Sequence, residues 1–241
     1  MVTHRSYFET LSVEELGNIR NNVLKSHFRD ANIDREGGFL KFFDKHLYKL
    51  IGTPYRESLH SIIKVSPTVN QTQWQVKEQT RYTCRMVCGT IQPSVPWVSD
   101  REELEMLSLK VDVIYPGGST NEGKREQIAD FGKDNFGNDQ NKLDLSLAKF
   151  KDEDGLIVQL DAIYHVDKEK FQTWQMVVPT KKFDIEIWYP IDSIIQCEIM
   201  ILDSSLIATR RDNGWLSIAS DAWILPESGL VWRVFDKIEH E

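Results

Sequence analysis

From residue 59 onward, apolar and polar side chains alternate along the chain with a period of two. That period predicts β-strands with one dry and one wet face, the habit of antiparallel sheets. Leu59 to Val65 reads as a strand ended by Ser66-Pro67. Trp74, Val76, Thr80, Tyr82, Cys84 and Met86 then hold alternate positions, and only Glu78 interrupts them. Gln73, Gln75, Lys77, Gln79, Arg81 and Arg85 form the opposite, polar set. This is one long strand, or two with a break near Glu78. Leu107, Leu109, Val111, Val113 and Tyr115 alternate in the same way.

The second half repeats the pattern. Leu143, Leu145 and Leu147 alternate, and Asp152 to Gly155 reads as a hairpin turn into a return strand over 156–166. Phe183, Ile185, Ile187 and Tyr189 form another strand, which Pro190 ends. Ile195, Cys197, Ile199 and Ile201 follow. Asp212-Asn213-Gly214 is a hairpin turn feeding Trp215 to Ala219, and Pro226 to Gly229 is a turn into Leu230, Trp232 and Val234. No helix-length pattern separates these strands, which argues against parallel βαβ units.

The first 57 residues differ. Ser12 with Glu15 has capping-box spacing, and Leu16, Ile19 and Val23 continue as a helical stripe over 12–29. Phe39, Phe43, Leu47 and Leu50 predict a second helix over 39–51, stopped by Gly52 and Pro54. The expected fold class is therefore α+β, mostly antiparallel β. Two N-terminal helices precede a β-sandwich-like arrangement of two β lobes, with one extended sheet shared by both lobes as the alternative. The expected divisions are 1–57, a helical segment; 58–116, a first lobe; 117–142, a glycine-rich linker or loop; and 143–241, a second lobe.

Charge and cysteine usage narrow the function classes. The formal net charge of -8 argues against a nucleic-acid partner. Three cysteines, Cys84, Cys88 and Cys197, are too few and odd in number for a disulfide framework, which points to a reducing compartment. No apolar run has the length that spans a bilayer, and Met1 to Thr10 lacks the apolar core of a secretory signal. The expected location is cytoplasmic.

Candidate chemistry is sparse. Gly118 to Lys124 has the spacing of a phosphate-binding loop after a strand. Arg125 stands where that motif needs Ser or Thr, so a solvated connection is the plainer reading. His165 and Asp167 share a strand face with Asp161, a pattern an acid–base pair would use. Gln159 lies on the same face, as on any wet strand. Asp152, Glu153 and Asp154 lack the register of an EF-hand, and no histidine pair has metal-helix spacing. Cys84 and Cys88 fall among apolar residues and read as inert thiols. No nucleophile elbow occurs. Neither a cofactor nor a metal is called for.

The remaining signal is aromatic. Trp215, Trp223 and Trp232 lie close in sequence to Arg210, Arg211 and Arg233. Trp with Arg makes protein hot spots and stacks on planar ligands, although Trp in a β core is the commoner use. We take Arg210, Arg211, Trp215, Trp223 and Trp232 as the candidate ligand-binding set. The leading expectation is a non-catalytic binding or interaction module with a protein partner or a second copy of itself. The alternatives are a sensor for a small planar ligand such as a nucleotide signal, and a hydrolase with a spatially assembled His/carboxylate site.

Overall fold

The computed structural model describes residues 53–87, 94–98, 104–116, 125–132, 142–150, 153–201 and 207–237, with Ser12, Glu15 and Asn18. The two expected N-terminal helices lie outside these residues, except at their first cap. There the Ser12 backbone N–H and hydroxyl each donate to Glu15 Oε2 at 2.8 Å, and the Glu15 N–H donates back to Ser12 Oγ at 3.2 Å. Residues 1–52 form one compact unit and residues 53–241 another. The second unit is described from here on.

Its strands are β1 (Tyr55–Pro67), β2 (Gln73–Arg85), β3 (Ser94–Val98), β4 (Leu104–Ile114), β5 (Arg125–Gly132), β6 (Lys142–Ser146), β7 (Ile157–Asp167), β8 (Gln172–Gln175), β9 (Phe183–Trp188), β10 (Ser193–Met200), β11 (Ala208–Asp212), β12 (Trp215–Ser220) and β13 (Gly229–Asp236). Eight of them make one large sheet in the order β11-β12-β9-β1-β2-β7-β4-β5. Neighbours pair antiparallel except β1 and β9, which run parallel. A three-stranded sheet, β10-β13-β8, and a β3-β6 ribbon complete the described structure. The mostly antiparallel β expectation is met.

The particulars differ from the simple reading in three places. Residues 117–142, read as a connection, contain β5, which pairs along β4 at the edge of the sheet. Strands from either side of this segment alternate in the large sheet, with β7 seated between β2 and β4. The turn before β7 does not close a hairpin, because β6 pairs with β3. A 3-10 turn, Ala148–Phe150, follows β6 and buries Phe150. Asp154 instead accepts the Met86 backbone N–H at 2.8 Å, and Gly155 takes a φ of 75°.

Alternation places one set of side chains in a single core. Leu59, Ile63, Val76, Tyr82, Val111, Val113, Val158, Ile185, Ile187, Leu216 and Ile218 are buried on the dry face of the large sheet. Leu230, Trp232 and Val234 of β13 join the same cluster. Trp74 ties the two sheets together, its indole N–H donating to the Val234 carbonyl at 2.7 Å. Such a buried donor needs a partner, and the backbone of the opposing sheet provides it.

Glu78 does not break β2. It lies on the dry face between Ile63 and Ala162, and is buried. Thr80 Oγ1 donates to its Oε1 at 3.0 Å and the Tyr164 hydroxyl to its Oε2 at 3.3 Å. Ser61 shares a 2.8 Å hydrogen bond with Thr80. Burial pushes the Glu78 carboxyl above the ordinary carboxylate range, against the hydrogen bonds from Thr80, Tyr164 and Trp174. Burial, with the nearby Glu78 charge, likewise raises the Tyr164 hydroxyl well above its usual value.

Candidate functional site

The wet face of the large sheet is a broad polar surface that the strand register builds. Its β9–β12 end carries aromatic rings. Trp188 on β9 and Trp215 on β12 are directly paired, because Trp215 starts its strand opposite the end of β9. Their ring centroids lie 6.0 Å apart with planes tilted by 49°. Glu186, two residues before Trp188, holds both rings from the same face. Trp188 Nε1 donates to Glu186 Oε2 at 3.0 Å, and Trp215 Nε1 donates to the same oxygen at 3.3 Å. Trp188 remains 46% exposed.

Local chemistry fixes this corner. Asn213 and Gly214 connect β11 to β12, and the Asn213 N–H is capped by Asp212 Oδ1 at 2.7 Å. Gly214 has a φ of 75°, a conformation open to glycine at no steric cost. The Tyr189 N–H donates to the Gly214 carbonyl at 2.9 Å, and the Tyr189 hydroxyl to the Asp212 carbonyl at 3.3 Å. The hairpin is thus pinned to the end of β9. A shallow pocket of about 380 Å³ lies here, lined by Lys64, Val65, Trp188, Tyr189, Pro190 and Gly214. Ile191 beside it is 67% exposed.

The five residues of the sequence-derived set are dispersed. Trp215 and Arg210 share the wet face: Arg210 pairs with Ser217, and Asp212 with Trp215. Arg211 points to the opposite face, and its charge acts on Cys197 of β10. Trp232 is 2% exposed and belongs to the core. Trp223 is exposed and packs on Tyr55, with ring centroids 4.9 Å apart. Trp188 and Glu186 were missed. The signal available was a tryptophan on the polar side of β9, out of phase with Phe183, Ile185 and Ile187.

The acid–base candidates separate as well. His165 Nδ1 lies 3.3 Å from Glu105 Oε2, across β4 and β7 on an open face. Asp167 instead accepts from Gln73 Nε2 at 3.2 Å. Cys84 is buried and its thiol is pushed up to about 12 by burial; Cys197 is raised to about 11 for the same reason. Neither is a thiolate at neutral pH. Cys88 and the Gly118–Lys124 motif lie outside the described residues. Among the described residues, no group of three or more His, Cys, Asp or Glu could hold a metal ion, and no helix is long and apolar enough to cross a membrane.

No known protein family matches this sequence, and no curated protein is similar to it. Two solved structures show limited likeness. One is a putative protease from Parabacteroides distasonis, with a TM-score of 0.38 and 11% identity, covering 74% of this chain and 40% of that one. The other is native leukotriene A4 hydrolase from Saccharomyces cerevisiae, with a TM-score of 0.39 and 7% identity, covering 78% of this chain and 30% of that one. The chain thus spans well under half of either protein.

Proposed function

We propose that this protein is a recognition module that binds an extended segment of a partner protein along β11, anchored on Trp188 and Trp215. The observation that carries the reading is the pair of wet-face indoles held by one carboxylate, Trp188 exposed and Trp215 partly buried beside it. Two rings fixed before binding lose little freedom on binding, and Trp and Arg dominate the energetics of protein interfaces.

The edge strand supports the same reading. All five residues of β11 are exposed, and among the described residues no strand pairs with its outer side. A free edge accepts a partner strand through backbone hydrogen bonds, with side chains supplying specificity. Arg210 projects on the tryptophan face and favours an acidic side chain in the incoming segment. Charged residues also guard free edges against aggregation, which accounts for Arg210 and Arg211 taken alone. It does not account for a tethered indole pair with Trp188 half-exposed beside them.

A planar small ligand fits this corner less well. A ring sandwiched between two indoles needs parallel planes roughly 7 Å apart, two van der Waals gaps. The observed planes are tilted by 49° at 6.0 Å.

The test is a photo-crosslinking residue at position 210, introduced in the cells that make the protein. A discrete partner adduct is expected, lost in Trp188→Ala/Trp215→Ala while the melting temperature stays near that of the parent. Adducts that persist in the double variant, or no adduct from any β11 position, would refute the proposal.

A further inference from the structure

A second site lies at the other end of the same sheet face, away from the tryptophans. It is a cleft of about 420 Å³, a volume in the range of small-molecule sites. Ser58 and His60 of β1, Arg81 and Thr83 of β2, and Asp184 of β9 form its floor, with Lys182 and Asp221 at strand ends. Register creates the arrangement. Arg81 pairs with His60, and His60 pairs with Asp184, so the three cross the sheet in one row.

The charges in this row are poorly satisfied by the protein itself. No side-chain hydrogen bond or ion pair to another described residue engages Arg81, Lys182 or Asp221. Asp184 meets only His60, whose Nδ1 lies 3.5 Å from Oδ2. Asp184 Oδ1 is shielded from solvent and has no hydrogen-bond partner. A desolvated carboxylate oxygen without a donor is costly, so Asp184 gains from any cation or N–H donor that reaches its accessible Oδ2. Polar side chains on β-sheets often pair across strands, as Gln79 does in donating to Asp161 at 2.6 Å on this same face. Here the Arg81 guanidinium stands across a concavity from the Asp184 carboxylate, and Lys182 and Asp221 flank Asp184 at the strand ends.

We infer that this cleft binds a small amino-carboxylate, its carboxylate held by Arg81 and its ammonium by Asp184, with Lys182 and Asp221 at the strand ends beside Asp184. Arg81 and Asp184 stand two strand spacings apart, about 10 Å between Cα atoms. Their side chains close that gap onto a ligand the size of an amino acid. Ser58 adds no nucleophile: its hydroxyl donates to Thr83 Oγ1 at 3.4 Å and not to His60. The site is therefore one of binding. It is independent of the protein-recognition reading, which uses the opposite end of the face.

The experiment is isothermal titration of the full chain with each of the twenty common L-amino acids. The amine-blocked N-acetyl form and the carboxyl-blocked amide of any binder follow. At least one amino acid is expected to bind saturably, with both blocked forms at least tenfold weaker. Arg81→Gln and Asp184→Asn should each weaken binding tenfold or more. Lys77→Gln, on the same face outside the cleft, should leave it unchanged. No saturable binding by any amino acid would overturn the inference. So would an N-acetyl form that binds as tightly as its parent, which would mark a plain anion site. Asp184→Asn or Arg81→Gln proteins that melt like the parent and bind equally well would overturn it too.

Discussion

Gly214 and Gly155 offer a controlled comparison, since both have a φ of 75°. A left-handed backbone costs a non-glycine residue roughly 1–2 kcal/mol, and alanine returns about 0.4–1 kcal/mol by stiffening the unfolded chain. The two positions differ in what an added Cβ meets. At Gly155 the nearest atom is Arg85 Nη1 at 3.2 Å, the far end of a side chain that can shift while keeping its exposed ion pair with Asp154. At Gly214 it is the Tyr189 backbone oxygen at 2.8 Å. Relieving that contact shifts the end of β9, and with it the Tyr189 N–H bond to Gly214 and the hydroxyl bond to Asp212. Each such bond contributes about 0.5–1.5 kcal/mol net. Gly155→Ala should therefore cost about 1 kcal/mol, and Gly214→Ala about 1–3 kcal/mol more. Urea denaturation followed by circular dichroism reads both. A difference below about 0.5 kcal/mol, or Gly155→Ala as the worse variant, would show that Tyr189 does not lock the hairpin.

Other perturbations follow from the same structure. Gly229→Ala places a Cβ 2.1 Å from the Trp174 carbonyl oxygen, so it should cost more than either glycine variant and loosen β8 from β13, read as faster amide exchange over 172–175. The Glu78 pKa is raised by burial, so the folded state holds its proton more tightly than the unfolded state. Its stabilising contribution is full below the unfolded value of 4.5 and is lost as pH rises through the folded value. Glu78→Gln should consequently gain stability relative to the parent as pH rises from 4 to 8, in denaturation series at each pH; a flat or opposite difference would refute buried titration. Arg125 pairs with Asp112, whose side chain is 2% exposed, whereas Arg85 bridges the more exposed Glu57 and Asp154. Arg125→Met should cost about 1–3 kcal/mol by leaving a buried carboxylate, and Arg85→Met about 1 kcal/mol or less, measured by denaturation at pH 7.

Strand content was legible because alternation is a local property. β2, β4 and β7 follow from their side chains alone, and the Asn213-Gly214 turn follows from turn chemistry. What local pattern cannot carry is which strands meet. β1 is parallel to β9, a pairing between segments more than 100 residues apart. β5 was hidden because an edge strand with solvent beside it needs few apolar residues, and Arg125 to Gly132 supplies only Ile128, Ala129 and Phe131 beyond its polar positions. Glu78 suggested a break, yet it is tolerated in mid-strand because Thr80 and Tyr164 meet its oxygens inside the core.

The same logic governs the sites. Sequence proximity grouped Trp215, Trp223 and Trp232, but a strand sends neighbours to opposite faces and separate strands to separate sheets. Trp232 therefore fills the core while Trp215 meets Trp188, a residue 27 positions away brought alongside by the β9–β12 register. Arg81, His60 and Asp184 are distributed over more than 120 positions, and each looks like an ordinary wet-face residue on its own strand. A shift of β9 by one residue would turn Asp184 into the core and put Phe183 or Ile185 opposite His60. The buried alternation of Phe183, Ile185 and Ile187 forbids that slip. The hydrophobic face of β9 thus sets the register that places both Glu186 between the indoles and Asp184 in the charged row.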